Sequence, residues 1–246
     1  SGSRRQLFDP VVVEPQQYTF HTLPAVFMLE TQLPENIVGD LNNYLDDLMI
    51  SEERKSHAGT LVGQIGHGQQ LTMNHMCDEM RDFNIFIQAM GLDYIKQFSA
   101  VSGNALAGKR EVMTDELWSV HSYERDYNPI HDHGTKTIMG VSCTTWTKVP
   151  QQILDQPTAG SPEYSLYNAS GNVDGCLAFT YGRNSLLDVE RLRPPQSFII
   201  KPEVGKFLMF PSWLTHMVYP FEGNGERRTV AANLNVWKVE DDGTRH

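Results

Sequence analysis

Cysteine is scarce in this sequence: Cys77, Cys143 and Cys176 are the three in 246 residues, odd in number and far apart. Such spacing excludes a disulfide framework and a zinc cluster, and predicts buried free thiols in a reducing compartment. Basic charge is also in short supply, with 20 Lys and Arg against 30 Asp and Glu and a formal net charge of −10. An extended basic surface for nucleic acid is thereby excluded, leaving room only for a local basic groove. No apolar run approaches the roughly 20 residues that cross a bilayer, so no membrane partner is expected. No secretory signal is visible, and Ser1-Gly2-Ser3 without an initiator Met reads as the remnant of a cleaved tag. The expectation is a soluble, cytoplasmic protein whose oligomeric state the sequence leaves open.

What is present falls into two textures. Residues 4–115 read as a support region of strands and helices, and residues 116–240 as a β core, the two forming one catalytic unit over 4–240. Val11-Val12-Val13 and the stretch from Tyr18 to Met28 are β-like. From Pro34 onward, Ile37, Leu41, Leu45, Leu48 and Met49 share one helical face, with the proline suited to a first turn. Ser51 to Gly68 reads as a polar loop. Met73, Met76, Met80, Phe83, Ile87 and Met90 then recur at three- and four-residue steps and predict a long amphipathic helix. That methionine stripe is read as packing, because Met fills irregular cores. Beyond residue 112, short strands are expected at 116–123, 137–146, 175–180, 196–200, 206–210 and 228–237. Turns are expected at Tyr127-Asn128-Pro129, Gly160-Ser161-Pro162, Pro194-Pro195, Lys201-Pro202 and Gly223-Asn224-Gly225. The fold class is α+β but mainly β: a jelly-roll, or double-stranded β-helix, with N-terminal helices packed on it.

Three histidines carry the chemistry. On an extended strand, residues i and i+2 project to one side, so His131 and His133 face a common point while Asp132 faces away. A strand distant in sequence can lie opposite in a jelly-roll, and His216 can then complete a three-point metal face. Imidazole suits ferrous iron, zinc or copper. His21, His57, His67 and His75 have no partners at ligand spacing, and His121 is read as structural ahead of pocket-lining. Trp118, Trp146, Trp213 and Tyr123 lie near the motifs and suit either a substrate wall or core packing.

Arg227 and Arg228 enter an apolar run after a turn, and strand alternation sends one to the barrel interior and the other to solvent. If Arg227 faces inward, so do Thr229, Ala231, Asn233 and Asn235, a small polar floor able to take an anion. If Arg228 does, its companions are Val230, Ala232 and Leu234, a drier surface. The first arrangement is preferred.

These residues together resemble the iron(II)- and 2-oxoglutarate-dependent oxygenases, and in particular a small bacterial and phage branch. Asn128-Pro129-Ile130-His131-Asp132-His133 matches an N-P-x-H-x-H motif of that branch, and Pro202 to His216 matches a signature ending F-P-S-x-L-x-H. Arg227, Thr229 and Asn233 fit its closing Arg-x-Ser…Asn. The resemblance spans residues 118–237. It implies Fe(II) held by His131, His133 and His216, with 2-oxoglutarate held by the metal together with Arg227, Thr229 and Asn233. One departure stands out: the family's usual carboxylate ligand is His133 here, so either three imidazoles hold the iron or a local bend brings Asp132 in.

The implied reaction consumes O2 and 2-oxoglutarate, releases succinate and carbon dioxide, and hydroxylates a C–H bond of a peptide, a protein or a small molecule, with a prolyl residue as the family-level guess. Two other readings stay open. One is a three-His cupin-type dioxygenase that needs no 2-oxoglutarate; the other is a non-enzymatic metal-binding jelly-roll module. The loop from Gln151 to Asp174 is long enough to gate a substrate or to be filler.

Overall fold

The structure is a computed structural model that describes residues 26–103, 106–157, 173–182 and 197–246. In chain order its elements are β1 (Leu29–Gln32), α1 (Glu35–Ile50), β2 (Gln69–Thr72), α2 (Arg81–Ser102), β3 (Lys109–Ser122), β4 (Asn128–His131), β5 (Gly140–Lys148), α3 (Gln151–Leu154), β6 (Leu177–Thr180), β7 (Ser197–Ile200), β8 (Lys206–Pro211), β9 (His216–Val218) and β10 (Arg227–Val239). The strands form two antiparallel sheets, β1-β8-β5-β10-β3-β2 and β4-β9-β6-β7. Trp146, Leu208 and Phe210 of the larger sheet pack against Leu177, Phe179 and Ile200 of the smaller, so the sheets face one another. This is the expected jelly-roll.

Alternation along β10 decides how the layers are built. Arg227, Thr229, Ala231 and Asn233 point between the sheets, into a cavity. Val230, Ala232 and Leu234 point to the outer face, where they meet the helices. There α1 buries Ile37, Leu41 and Leu45, a four-residue repeat that keeps one stripe on the sheet. Burial of each such side chain contributes about 1.5–3 kcal/mol. The helix α2 adds Phe83, Ile87 and Tyr94 to the same core. It carries Gly91 where a Cβ would lie 2.7 Å from Val112 Cγ1, so the glycine lets the helix sit close on β3.

Several expectations shift. The helix predicted from Met73 begins only at Arg81, because Gln69–Thr72 is a strand paired with β3 and Met73 N donates to Leu117 O at 2.9 Å. Met76, expected in the packed stripe, is exposed. Tyr127-Asn128-Pro129 is no turn: Asn128 and Pro129 open β4, where a proline is tolerated because the strand lies at the edge of its sheet. The strand expected from residue 137 starts at Gly140, and Ile138 is fully exposed. The strands β1, β2 and β9 are additional to those expected. Val11-Val12-Val13, most of the stretch from Tyr18 to Met28, Gly160-Ser161-Pro162, Pro194-Pro195 and most of the 151–174 loop lie outside the described residues. β3 runs through residue 115, and β1 and β2 form the two edges of the larger sheet.

Cys143 and Cys176 are buried and Cys77 is half-buried, all three as free thiols. No helix among the described residues is long and apolar enough to cross a membrane.

Candidate metal centre

The pairing of β4 with β9 places His131 directly opposite His216, one closing its strand and the other opening it. His133 lies two residues beyond β4, outside the strand, where its N–H donates to Ser212 O at 2.9 Å. Simple strand alternation therefore does not position His133; that tie to the turn before β9 does. The ring centroids are 4.3 Å apart for His131 and His216, 4.9 Å for His133 and His216, and 5.4 Å for His131 and His133. One nitrogen from each ring lies within 4.8 Å of the others.

Each ring spends its Nδ1 on an oxygen behind it. His131 Nδ1 donates to Pro129 O at 2.7 Å, His216 Nδ1 to Leu214 O at 2.9 Å and His133 Nδ1 to Asn233 Oδ1 at 2.9 Å. A carbonyl-type acceptor at Nδ1 keeps the proton there and leaves the Nε2 lone pair as the ligand atom. Burial, reinforced by the neighbouring imidazoles, lowers His133 to about 4 and His216 to about 3, and burial lowers His131 too. All three rings are thus neutral at pH 7, the form that binds a metal. The donor set fits a divalent transition ion such as ferrous iron. Asp132 is exposed at the cavity rim and outside the three-histidine group.

The same cavity holds a buried cation. Arg227 is 2% exposed, and among the described residues its hydrogen bond is from Nη1 to Gly175 O at 2.8 Å, while Nε has no partner. Burial lowers its guanidinium to about 10, which still leaves it charged at neutral pH. Thr229 Oγ1, a possible donor on the same inward face of β10, also lacks a partner, and Thr229 lines the same cavity. Among the described residues no carboxylate forms an ion pair with Arg227, and the field of the buried Asp126 only partly offsets the cost of its burial. The free edge of the guanidinium therefore suits an anion.

Arg228 differs from the expectation. It is 1% exposed instead of solvent-facing, because α1 covers that face of the sheet. Its charge is already met by Glu226 at 2.7 Å and Asp46 at 2.8 Å. Asn235 also departs from the inward floor. The register shifts after Asn233, and Asn235 Oδ1 instead accepts from Lys136 N at 2.9 Å. Asn233 lines the cavity, but its amide is engaged by His133.

Sequence reasoning missed some residues. Asn128 was hidden in an apparent turn. Glu116 lines the cavity from β3, as does Trp118, which stacks 5.3 Å from His57 at an interplanar angle of 9°. Inward alternation along β3 could have found Glu116, whereas nothing local marks His57. Of the four aromatic residues near the motifs, Trp118 and Trp146 line the cavity, while Trp213 is exposed. His121 is structural: fully buried, its Nδ1 lies 2.6 Å from Glu226 Oε1 on the outer face.

The comparisons agree with this geometry. A family model described as "Putative 2OG-Fe(II) oxygenase" matches residues 116–233. No curated protein matches the sequence significantly. Among solved structures, the non-haem α-ketoglutarate-dependent carbocyclase SnoK from nogalamycin biosynthesis is 12% identical, with a TM-score of 0.53 over 86% of this chain and 81% of that one. The epimerase SnoN from the same biosynthesis is also 12% identical, with a TM-score of 0.53 over 86% of this chain and 79% of that one. A Pseudomonas putida prolyl-4-hydroxylase is 12% identical, with a TM-score of 0.49 over 85% of this chain and 91% of that one. At these identities the likeness to the first two structures speaks to the fold alone, and the family match to the chemistry. Residues 116–233 thus match the 2-oxoglutarate- and iron(II)-dependent oxygenases, a class of non-haem iron enzymes.

Proposed function

We propose that His131, His133 and His216 hold the ferrous iron and that Arg227, with Thr229, receives the far carboxylate of 2-oxoglutarate. The observation that carries this reading is the shared cavity. Three neutral imidazoles with free Nε2 atoms and a buried guanidinium with an unpaired Nε open into one space. When bound, iron and 2-oxoglutarate supply an oxidant made from O2, with succinate and carbon dioxide as products. The chain's own residues do the rest. Pro129 O, Leu214 O and Asn233 Oδ1 keep the Nδ1 protons in place, and Arg227 offsets the charge of the far carboxylate. Trp118, Trp146 and Phe210 line the walls and exclude water.

Hydroxylation of a prolyl or other residue in a peptide, or of a small molecule, is the substrate class we put forward. It rests on the motif resemblance. Residues 4–240 act as one catalytic unit in this reading, since strands of both halves share a sheet.

The test is succinate formation by iron-loaded protein given O2 and 2-oxoglutarate. Turnover lost in both His216→Ala and Arg227→Ala is the expected result. Neither binding nor turnover of 2-oxoglutarate in the parent protein would overturn the reading. Because no carboxylate joins the ligand group, a three-imidazole dioxygenase that needs no 2-oxoglutarate is the second reading. It predicts O2 uptake with substrate alone.

A further inference from the structure

A carboxylate is absent from the three-histidine group, yet one stands just behind it. Glu116 is half-buried at the cavity wall, opposite Asn233 in the β3–β10 register. Its Oε2 accepts from Asn233 Nδ2 at 3.0 Å. Asn233 Oδ1 in turn accepts from His133 Nδ1 at 2.9 Å and from Ser142 Oγ at 2.8 Å.

We propose that Glu116 is a positioning residue for the metal centre: by dictating which way the Asn233 amide points, it dictates the tautomer of His133. The inference rests on reading His133 as an iron ligand. Its logic is the supply of donors and acceptors. An ionised carboxylate can only accept, so the amide edge facing Glu116 must be the NH2. The carbonyl edge is then left for His133, and it pairs with Nδ1 only while that nitrogen carries the proton. Nε2 keeps its lone pair for the metal. With the amide reversed, the carbonyl would oppose the carboxylate and the NH2 would face Nδ1. The proton would then sit on Nε2, which could not ligate.

His131 and His216 need no such device. Their Nδ1 atoms face the backbone carbonyls of Pro129 and Leu214, which can never become donors. His133 is the ligand whose partner is reversible. Ser142 cannot set the sense by itself, because a hydroxyl donates or accepts as its surroundings require. Its Oγ also lies 3.1 Å from Ser212 Oγ and 3.1 Å from His133 Nδ1, and it can donate to or accept from that nitrogen with either tautomer. Within this network Glu116 alone admits no reversal.

The experiment is 15N NMR of histidine-labelled, metal-free protein near pH 7, paired with cobalt(II) affinity by chelator competition. The parent is expected to show His133 protonated at Nδ1. Glu116→Ala is expected to give a mixed tautomer and about 10- to 100-fold weaker cobalt binding, the range typical of lost outer hydrogen bonds to a metal ligand. Ser142→Ala is expected to keep the parent's tautomer. If Glu116→Ala fails to fold, Glu116→Gln asks the same question, because its amide can present either edge and a mixed tautomer is again expected. An unchanged Nδ1–H signal with unchanged cobalt affinity would overturn the inference, and so would Ser142→Ala matching Glu116→Ala. A failure of the co-substrate reading would appear separately, in 2-oxoglutarate titration of the parent. The tautomer is read with neither metal nor 2-oxoglutarate present.

Discussion

Arg227 and Arg228 are neighbours on β10, both almost fully buried, and they face opposite sides of the larger sheet. One has an unpaired Nε in the cavity, while the other is paired with Glu226 and Asp46 beneath α1. Their substitutions are therefore expected to fail differently. Arg227→Ala should abolish 2-oxoglutarate binding with little loss of stability, since it removes a buried charge that has no direct ion pair among the described residues. Arg228→Ala should cost about 2–4 kcal/mol, because it leaves Glu226 with only the more distant Lys148 at 3.9 Å as its cation. Calorimetric titration with 2-oxoglutarate and urea denaturation of both variants would decide it. A stability loss in Arg227→Ala equal to that in Arg228→Ala would contradict the assignment.

Asp132 and His133 compete in the sequence for one ligand position. Asp132 is exposed and outside the histidine group, so Asp132→Ala should leave cobalt or iron affinity within a few-fold of the parent. His133→Ala should weaken it by about 100-fold or more, since a ligand is lost outright. Metal at 100 times its dissociation constant should stabilise the parent by about 2.7 kcal/mol and raise its Tm accordingly. A chelator should reverse the rise. Equal affinities in the two variants would refute the three-imidazole set.

Glu226 ties His121 and Arg228 together on the outer face of the sheet. Burial alone would raise its carboxyl, but hydrogen bonds from His121 and Arg228 outweigh that and hold it at about 2, against an ordinary 4.5. A depressed carboxyl stabilises the fold above its unfolded value and loses that contribution as the pH falls through the folded one. Tm should therefore decline from about pH 4.5 towards pH 2, and more gently in Glu226→Gln. Matching slopes for the two proteins would remove Glu226 from the account.

Gly68 ends the segment that brings His57 and Leu61 to the cavity wall. A Cβ there would lie 1.6 Å from the backbone oxygen of His121, a contact that no rotamer change relieves. Gly68→Ala should cost at least about 1–3 kcal/mol, read from the urea midpoint. A neutral result would mean that this segment moves freely off β3.

Much of the centre was legible before the fold. His131, His133 and His216 stood out because metal ligands must be particular residue types at particular spacings, and the pair Arg227-Arg228 because a cation follows them at the head of an apolar run. The helix α1 was legible as well, since a stripe of Ile37, Leu41 and Leu45 needs only its own neighbours to declare itself. Errors came where a local signal competed with a distant partner. Met73 kept helical spacing with Met76 and Met80, but the preceding residues pair with β3 and the stripe breaks there. Asn128-Pro129 carries the composition of a turn, and only β9 alongside makes it a strand.

The sequence by itself determined the ligand types, the cation that follows them and the jelly-roll class, because these are set by residue chemistry and short-range periodicity. Tertiary structure decided which arginine faces the cavity, that Asp132 stays outside the centre, and that Glu116 stands behind His133 through Asn233. The first and last of these depend on register between strands more than a hundred residues apart, where a one-residue slip turns every side chain to the other face. The second depends on the contact of β4 and His133 with the β8–β9 segment about eighty residues on. No periodicity within a single strand carries that information.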